Sequence, residues 1–118
     1  MFLAESPISS SLQSAACMAA QQQSREKFLL LAQTFQALGD PTRVHIVWLL
    51  SQAEHRVGEI AQKLSMSQPA VSHHLRVLRQ LRLVKFRKMG RISFYALDDL
   101  HIERLLHEGI EHVEELLS

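Results

Sequence analysis

A single cysteine, Cys17, leaves the 118-residue chain without an intramolecular disulfide framework. No apolar run approaches the roughly eighteen residues that a membrane span requires. The first residues carry neither a basic leader nor a continuous apolar core, so no signal peptide is expected. These absences lead to the expectation of a cytoplasmic protein with no membrane partner. A hydrophobic content of 47% with 21% charged residues excludes a disordered chain. The length allows one domain with a modest core, and no internal repeat is visible.

The net charge of +1 hides a polarity. From Arg76 to Arg91 there are seven bases (Arg76, Arg79, Arg82, Lys85, Arg87, Lys88, Arg91) and no acid. From Asp98 to Glu115 there are seven acids and one base, Arg104. Charged runs are most often solvated faces, but a basic block beside an acidic one also fits two partners of opposite charge.

Residues 1–23 hold one charge, Glu5, among Ser, Ala and Gln, and are expected to form a flexible arm before a domain spanning 24–118. Ser24 is the expected cap of a first helix with Phe28, Leu31, Ala32, Phe35 and Leu38 at helical spacing, ended by Gly39. Asp40 and Pro41 open a second helix, expected to be largely buried, with His45 a structural residue. Val57, Ile60, Ala61 and Leu64 mark a short third helix. Ser65-Met66-Ser67 is a tight turn, and Ser67 caps a fourth helix with Val71, Leu75 and Leu78 inward. Two helices joined by so short a turn form a helix-turn-helix. Alternation in LVKFRKMGRISFYAL predicts a β-hairpin around Lys88-Met89-Gly90-Arg91. Helical spacing returns with Ile102, Leu105, Leu106, Val113, Leu116 and Leu117. The expected fold is mainly α with a small β-hairpin: a winged helix-turn-helix.

In such a fold the second helix of the motif enters the DNA major groove. With Val71, Leu75 and Leu78 inward, Gln68, Ser72, His73 and Arg76 face outward, and His74 is half-buried. Gln and Arg suit adenine and guanine edges, while Ser67 at the helix N-terminus suits a phosphate. Lys88 and Arg91 at the hairpin tip suit backbone contacts. A winged helix can instead bind protein. The coincidence of the basic block with the reading helix and wing favours double-stranded DNA.

The closing segment, DDLHIERLLHEGIEHVEELLS, pairs Asp99 with His101 and His112 with Glu115. The two imidazoles are eleven residues apart, roughly 16 Å along one helix, so a single chain cannot bring both to an ion. Each pair is half of a tetrahedral set. Two copies of the helix packed antiparallel would join the halves and give two equivalent sites per dimer. His107 and Glu111 form a further i, i+4 pair, either solvated or metal-binding. Surface helices often carry His and Glu, so spacing alone leaves the solvated reading standing. Four protein ligands leave no open position for a catalytic water, and no general base is identifiable, so no enzyme is expected.

The segments ALGDPTRVHIVWLL, IAQKLSMSQPAVSHHLRVLRQLRLVKFRKMGRISFYAL and DLH…HVEE resemble the ArsR/SmtB family of bacterial metal-sensing repressors, over about residues 28–117. The D-x-H and H-x-x-E spacing resembles its zinc-sensing branch. The resemblance implies a homodimer through the N- and C-terminal helices, bound to operator DNA and released on binding Zn(II). It implies metal ligands at Asp99, His101, His112 and Glu115; Co(II) would fit the same donors. Arsenic and cadmium sensors of the family carry cysteines in the first helix of the motif. Here Arg56 and Gly58 stand at those places in HRVGEIA, which argues against soft-thiolate sensing. The alternative is a metal-independent winged-helix regulator whose last helix only dimerises.

Overall fold

The computed structural model describes residues 11–118. Five helices and three strands follow in the order α1 (Ser11–Leu38), α2 (Pro41–Gln52), β1 (His55–Arg56), α3 (Val57–Leu64), α4 (Gln68–Gln80), β2 (Val84–Met89), β3 (Ile92–Leu97) and α5 (Leu100–Leu117). Two compact units divide the chain, one running through Thr34 and the other Phe35–Ser118. Among the described residues no helix is long and apolar enough to cross a membrane.

Helix α1 begins at Ser11, so Ser24 is an interior residue and not the expected cap. The physical reason is propensity: the Ala- and Gln-rich stretch before Ser24 contains strong helix formers and no Gly or Pro. Residues 11–23 of the expected arm are therefore helical; residues 1–10 lie outside the described residues. Phe28, Leu29, Leu30 and Leu31 of this helix are exposed.

The second unit is built around one core. Ile46, Val47, Leu49 and Leu50 of α2 meet Ile60 and Ala61 of α3, Val71, Leu75 and Leu78 of α4, Leu83 and Val84, and Ile102 of α5. Each helix start has a local cause. Asp40 accepts hydrogen bonds from the backbone N–H of Thr42 and Arg43 at 2.8 and 3.1 Å, with Pro41 in the first turn. The Glu59 carboxylate accepts from Arg56 N–H at 2.8 Å and opens α3. Ser65, in the left-handed region at φ 54°, stops α3, and Met66 N–H reaches Ala61 O at 2.9 Å. Ser67 then caps α4, accepting from Ala70 N–H at 3.3 Å. The turn and the inward face of α4 are those expected from the sequence.

The hairpin β2–β3 closes on Gly90, at φ 63°, and Arg91. Sequence alternation did not reveal β1, which pairs His55 with Tyr95 and Arg56 with Phe94 on the free side of β3. Only two residues long, it is held through the buried His55. That ring donates from Nδ1 to Ala53 O at 2.7 Å and accepts at Nε2 from Lys63 Nζ at 2.8 Å.

One expectation is corrected in α2. His45 is exposed, its ring 6.1 Å from that of Trp48, which is itself 40% exposed. The helix buries one face only, and positions 41, 45, 48 and 52 run along the other.

Candidate functional site

Every residue expected to reach DNA is exposed: Ser67, Gln68, Ser72, His73 and Arg76 around α4, and Lys88 and Arg91 at the hairpin end. The inward stripe explains this. Val71, Leu75 and Leu78 are at most 1% exposed, which fixes the opposite face of α4 toward solvent. His74 is half-buried as its helical phase requires, and His73 beside it is open.

The basic block divides by contact. The Arg79 guanidinium lies 4.2 Å over the Phe86 ring, and Arg87 lies 4.8 Å over Phe94 while pairing with Glu54 at 3.0 Å. These two cations serve the packing of the hairpin. Arg76, Lys88 and Arg91 take part in no such stacking or ion pair among the described residues, so their charge is available to a partner.

Helix α4 also carries a contact that sequence reasoning missed. Arg43 Nε donates to His74 Nδ1 at 3.1 Å, and Arg43 Nη1 points to Ala37 O at 3.5 Å. Thirty-one residues separate the pair along the chain, and no local periodicity encodes it.

At the start of α5, Asp99 is the cap. Its Oδ1 accepts from His101 N–H at 2.9 Å and Ile102 N–H at 3.2 Å. The other oxygen, Oδ2, lies 3.4 Å from His101 Nδ1, and both side chains are largely exposed. The Ile102 backbone N–H, followed by the His101 side chain, holds the Asp99 carboxyl below the usual carboxylate range. It is therefore ionised at neutral pH, as a metal ligand must be. His112 and Glu115 are exposed near the other end of the helix, one turn apart. His107 Nε2 lies 3.3 Å from Glu111 Oε1.

Imidazole nitrogen and carboxylate oxygen suit zinc or cobalt. Among the described residues, however, no three or more His, Cys, Asp or Glu side chains of one chain come together around a point. The structure brings Asp99 to His101 and does not bring that pair to His112 and Glu115. The exposed apolar residues Leu105, Val113, Leu116 and Leu117 lie on the same helix.

Comparison with known proteins adds an independent line. The family model described as bacterial regulatory protein, arsR family, matches residues 40–85. A cadmium resistance transcriptional regulatory protein CadC homolog of Staphylococcus aureus is 39% identical over 89 residues, 75% of this chain and 74% of that protein. A transcriptional repressor SmtB homolog of Synechocystis is 41% identical over 85 residues, 72% of this chain and 64% of that protein. The chain thus spans just under two thirds of that second relative. In fold it is similar to the homodimeric winged helix-turn-helix DNA-binding domain Mb0332 of Mycobacterium bovis, with a TM-score of 0.73 at 24% identity, covering 96% of this chain and 94% of that one.

Proposed function

The chain belongs to the arsR family of bacterial regulatory proteins, DNA-binding transcriptional regulators and not enzymes, and from that premise we propose a metal-responsive repressor that binds operator DNA as a dimer and is released by Zn(II). The observation that carries the proposal is the pairing of Asp99 Oδ2 with His101 Nδ1 at 3.4 Å on the solvent side of α5, three turns from His112 and Glu115.

DNA binding rests on α4 and the wing. Gln68, Ser72, His73 and Arg76 read base edges in the major groove, and Ser67, Lys88 and Arg91 hold the phosphate backbone. Residues 24–118 carry DNA binding and dimerisation, preceded by an N-terminal arm, and the protein acts in the cytoplasm. Metal binding rests on two half-sites. Asp99 and His101 of one protomer meet His112 and Glu115 of the other across antiparallel α5 helices, and symmetry gives two sites per dimer. Zinc, when bound, supplies a link between the two α5 helices. The link fixes the spacing of the two α4 helices, and a spacing that misses half-sites one DNA turn apart lowers operator affinity. The cadmium resistance for which the CadC homolog is named supports metal as the class of signal, while the nitrogen and oxygen donors here favour zinc over a thiophilic ion.

The second reading is a metal-independent regulator whose α5 only dimerises; among the described residues, no three or more His, Cys, Asp or Glu side chains of one chain come together, which both readings accommodate. One experiment separates them. The full chain selects its duplex from a random-sequence pool, and affinity for that duplex is measured with and without Zn(II) at one stated salt concentration. Zinc should weaken binding at a stoichiometry near one ion per chain. His101→Ala and His112→Ala should each abolish the zinc response and leave metal-free DNA binding intact. No bound zinc, with DNA binding retained, would establish the second reading. Coupling is reciprocal, so the selected duplex must weaken zinc binding by the same factor.

A further inference from the structure

We infer that Arg43 is a positioning residue for DNA reading: its guanidinium, held between the end of α1 and His74, sets the rotation of α4 about its own axis. The inference rests on the proposal that α4 reads DNA.

The apolar contacts of α4 do not by themselves set that rotation. Val71, Leu75 and Leu78 are driven inward by burial, which is non-directional. A helix can turn by some degrees on such a stripe with little loss of buried area. A hydrogen bond is directional and weakens steeply off its axis. Arg43 Nε donates to His74 Nδ1 at 3.1 Å, a contact partly shielded from water.

The guanidinium is itself well anchored. The Arg43 backbone N–H donates to the Asp40 carboxylate at 3.1 Å, in the first turn of α2. Its Nη1 faces Ala37 O at 3.5 Å, a carbonyl in the last turn of α1 that has no helical partner ahead of it. Arg43 therefore joins the α1–α2 corner to α4. Because arginine has no acceptor and stays charged, His74 must accept at Nδ1, so its own proton sits on Nε2. His74 lies two residues from Ser72 and two from Arg76, and directly follows His73. Any rotation that His74 permits carries all three with it.

The test compares variants of the full chain on the duplex it selects and on unrelated duplex, at several salt concentrations. His74→Leu removes the acceptor at similar volume; His74→Asn keeps a carbonyl oxygen close to the Nδ1 position. Arg43→Met keeps the stem and removes the donors. Loss of this charge-assisted bond should cost about tenfold in affinity for the selected duplex, in both His74→Leu and Arg43→Met. Affinity for unrelated duplex and the salt slope should not change, because the phosphate contacts remain. His74→Asn should recover most of the lost preference, and the double variant should be no worse than either single one. A purely structural role would lower thermal stability in all variants without this loss and recovery of preference, and that result would overturn the inference. So would a salt slope reduced by about one in Arg43→Met with His74→Leu unaffected, which would make Arg43 a phosphate contact. Should Arg43→Met fail to fold, His74→Leu against His74→Asn decides by the same criterion. A wild-type chain that selects no duplex would overturn the DNA reading itself, together with the role built on it.

Discussion

Gln68 and Arg76 should differ from Lys88 in what their loss does to DNA binding. The first two can make bidentate contacts to base edges, so Gln68→Ala or Arg76→Ala should cost about 1–3 kcal/mol and relax preference at one base pair. Lys88→Ala should weaken binding to all sequences alike and reduce the salt slope by about one. Titrating selected and scrambled duplexes across a salt series distinguishes the two patterns. A second residue-scale prediction concerns acid. Asp40 and Glu59, like Asp99, have carboxyls held below their usual range, Asp40 first by the backbone N–H of Arg43 and Glu59 first by that of Arg56. A depressed carboxyl stabilises the fold above its unfolded value, about 3.9 for Asp and 4.3 for Glu, and loses that contribution as pH falls through the lower folded value. Urea midpoints should therefore be level near neutrality and fall below about pH 4. Asp40→Asn keeps a capping oxygen without the charge, so its acid limb should be shallower.

At the scale of elements, α4 depends on one cap and one stripe. Ser67→Ala removes the oxygen that accepts from Ala70 N–H and should cost about 0.5–2 kcal/mol in urea unfolding. Leu78→Ala, at a site with no exposed area, should cost about 2–5 kcal/mol through lost burial and the cavity left behind. These elements were legible in the sequence because apolar spacing, Ser, Asp and Pro at helix starts and a glycine turn are local signals. Where the signal is not local, the sequence was silent or misleading. Strand β1 is two residues held by His55 through Ala53 and Lys63, with no alternation to detect. Helix α1 starts at Ser11 because a serine inside a run of good helix formers does not stop it. His45 and Trp48 sit on the outer face of α2 because neighbouring apolar residues on a helix need not share a face. The Arg43–His74 bond belongs to the same class, since only the packed fold brings the pair together.

For the whole molecule, the question is what covers the apolar surface that one chain leaves open. Leu105, Val113, Leu116 and Leu117 of α5 are between 39% and 82% exposed. Soluble monomers rarely leave contiguous apolar surface of this kind uncovered. The proposed half-sites at the ends of α5 pose the same question, because their separation, legible from eleven residue steps, keeps one helix from completing a site. A second copy is proposed to answer both at once, which makes dimerisation and metal binding inseparable. Val113→Glu places a charge on the proposed contact, where burial without a partner is costly. Sedimentation equilibrium should show this variant as a monomer at concentrations where the unmodified chain is a dimer. The monomer should also lose zinc binding near one ion per chain, although Asp99, His101, His112 and Glu115 are untouched. It should lose affinity for a two-half-site duplex while keeping weak binding to a single half-site. A monomeric Val113→Glu chain that holds zinc as tightly as the unmodified protein would show that the four side chains need no partner, and the shared-site proposal would be withdrawn.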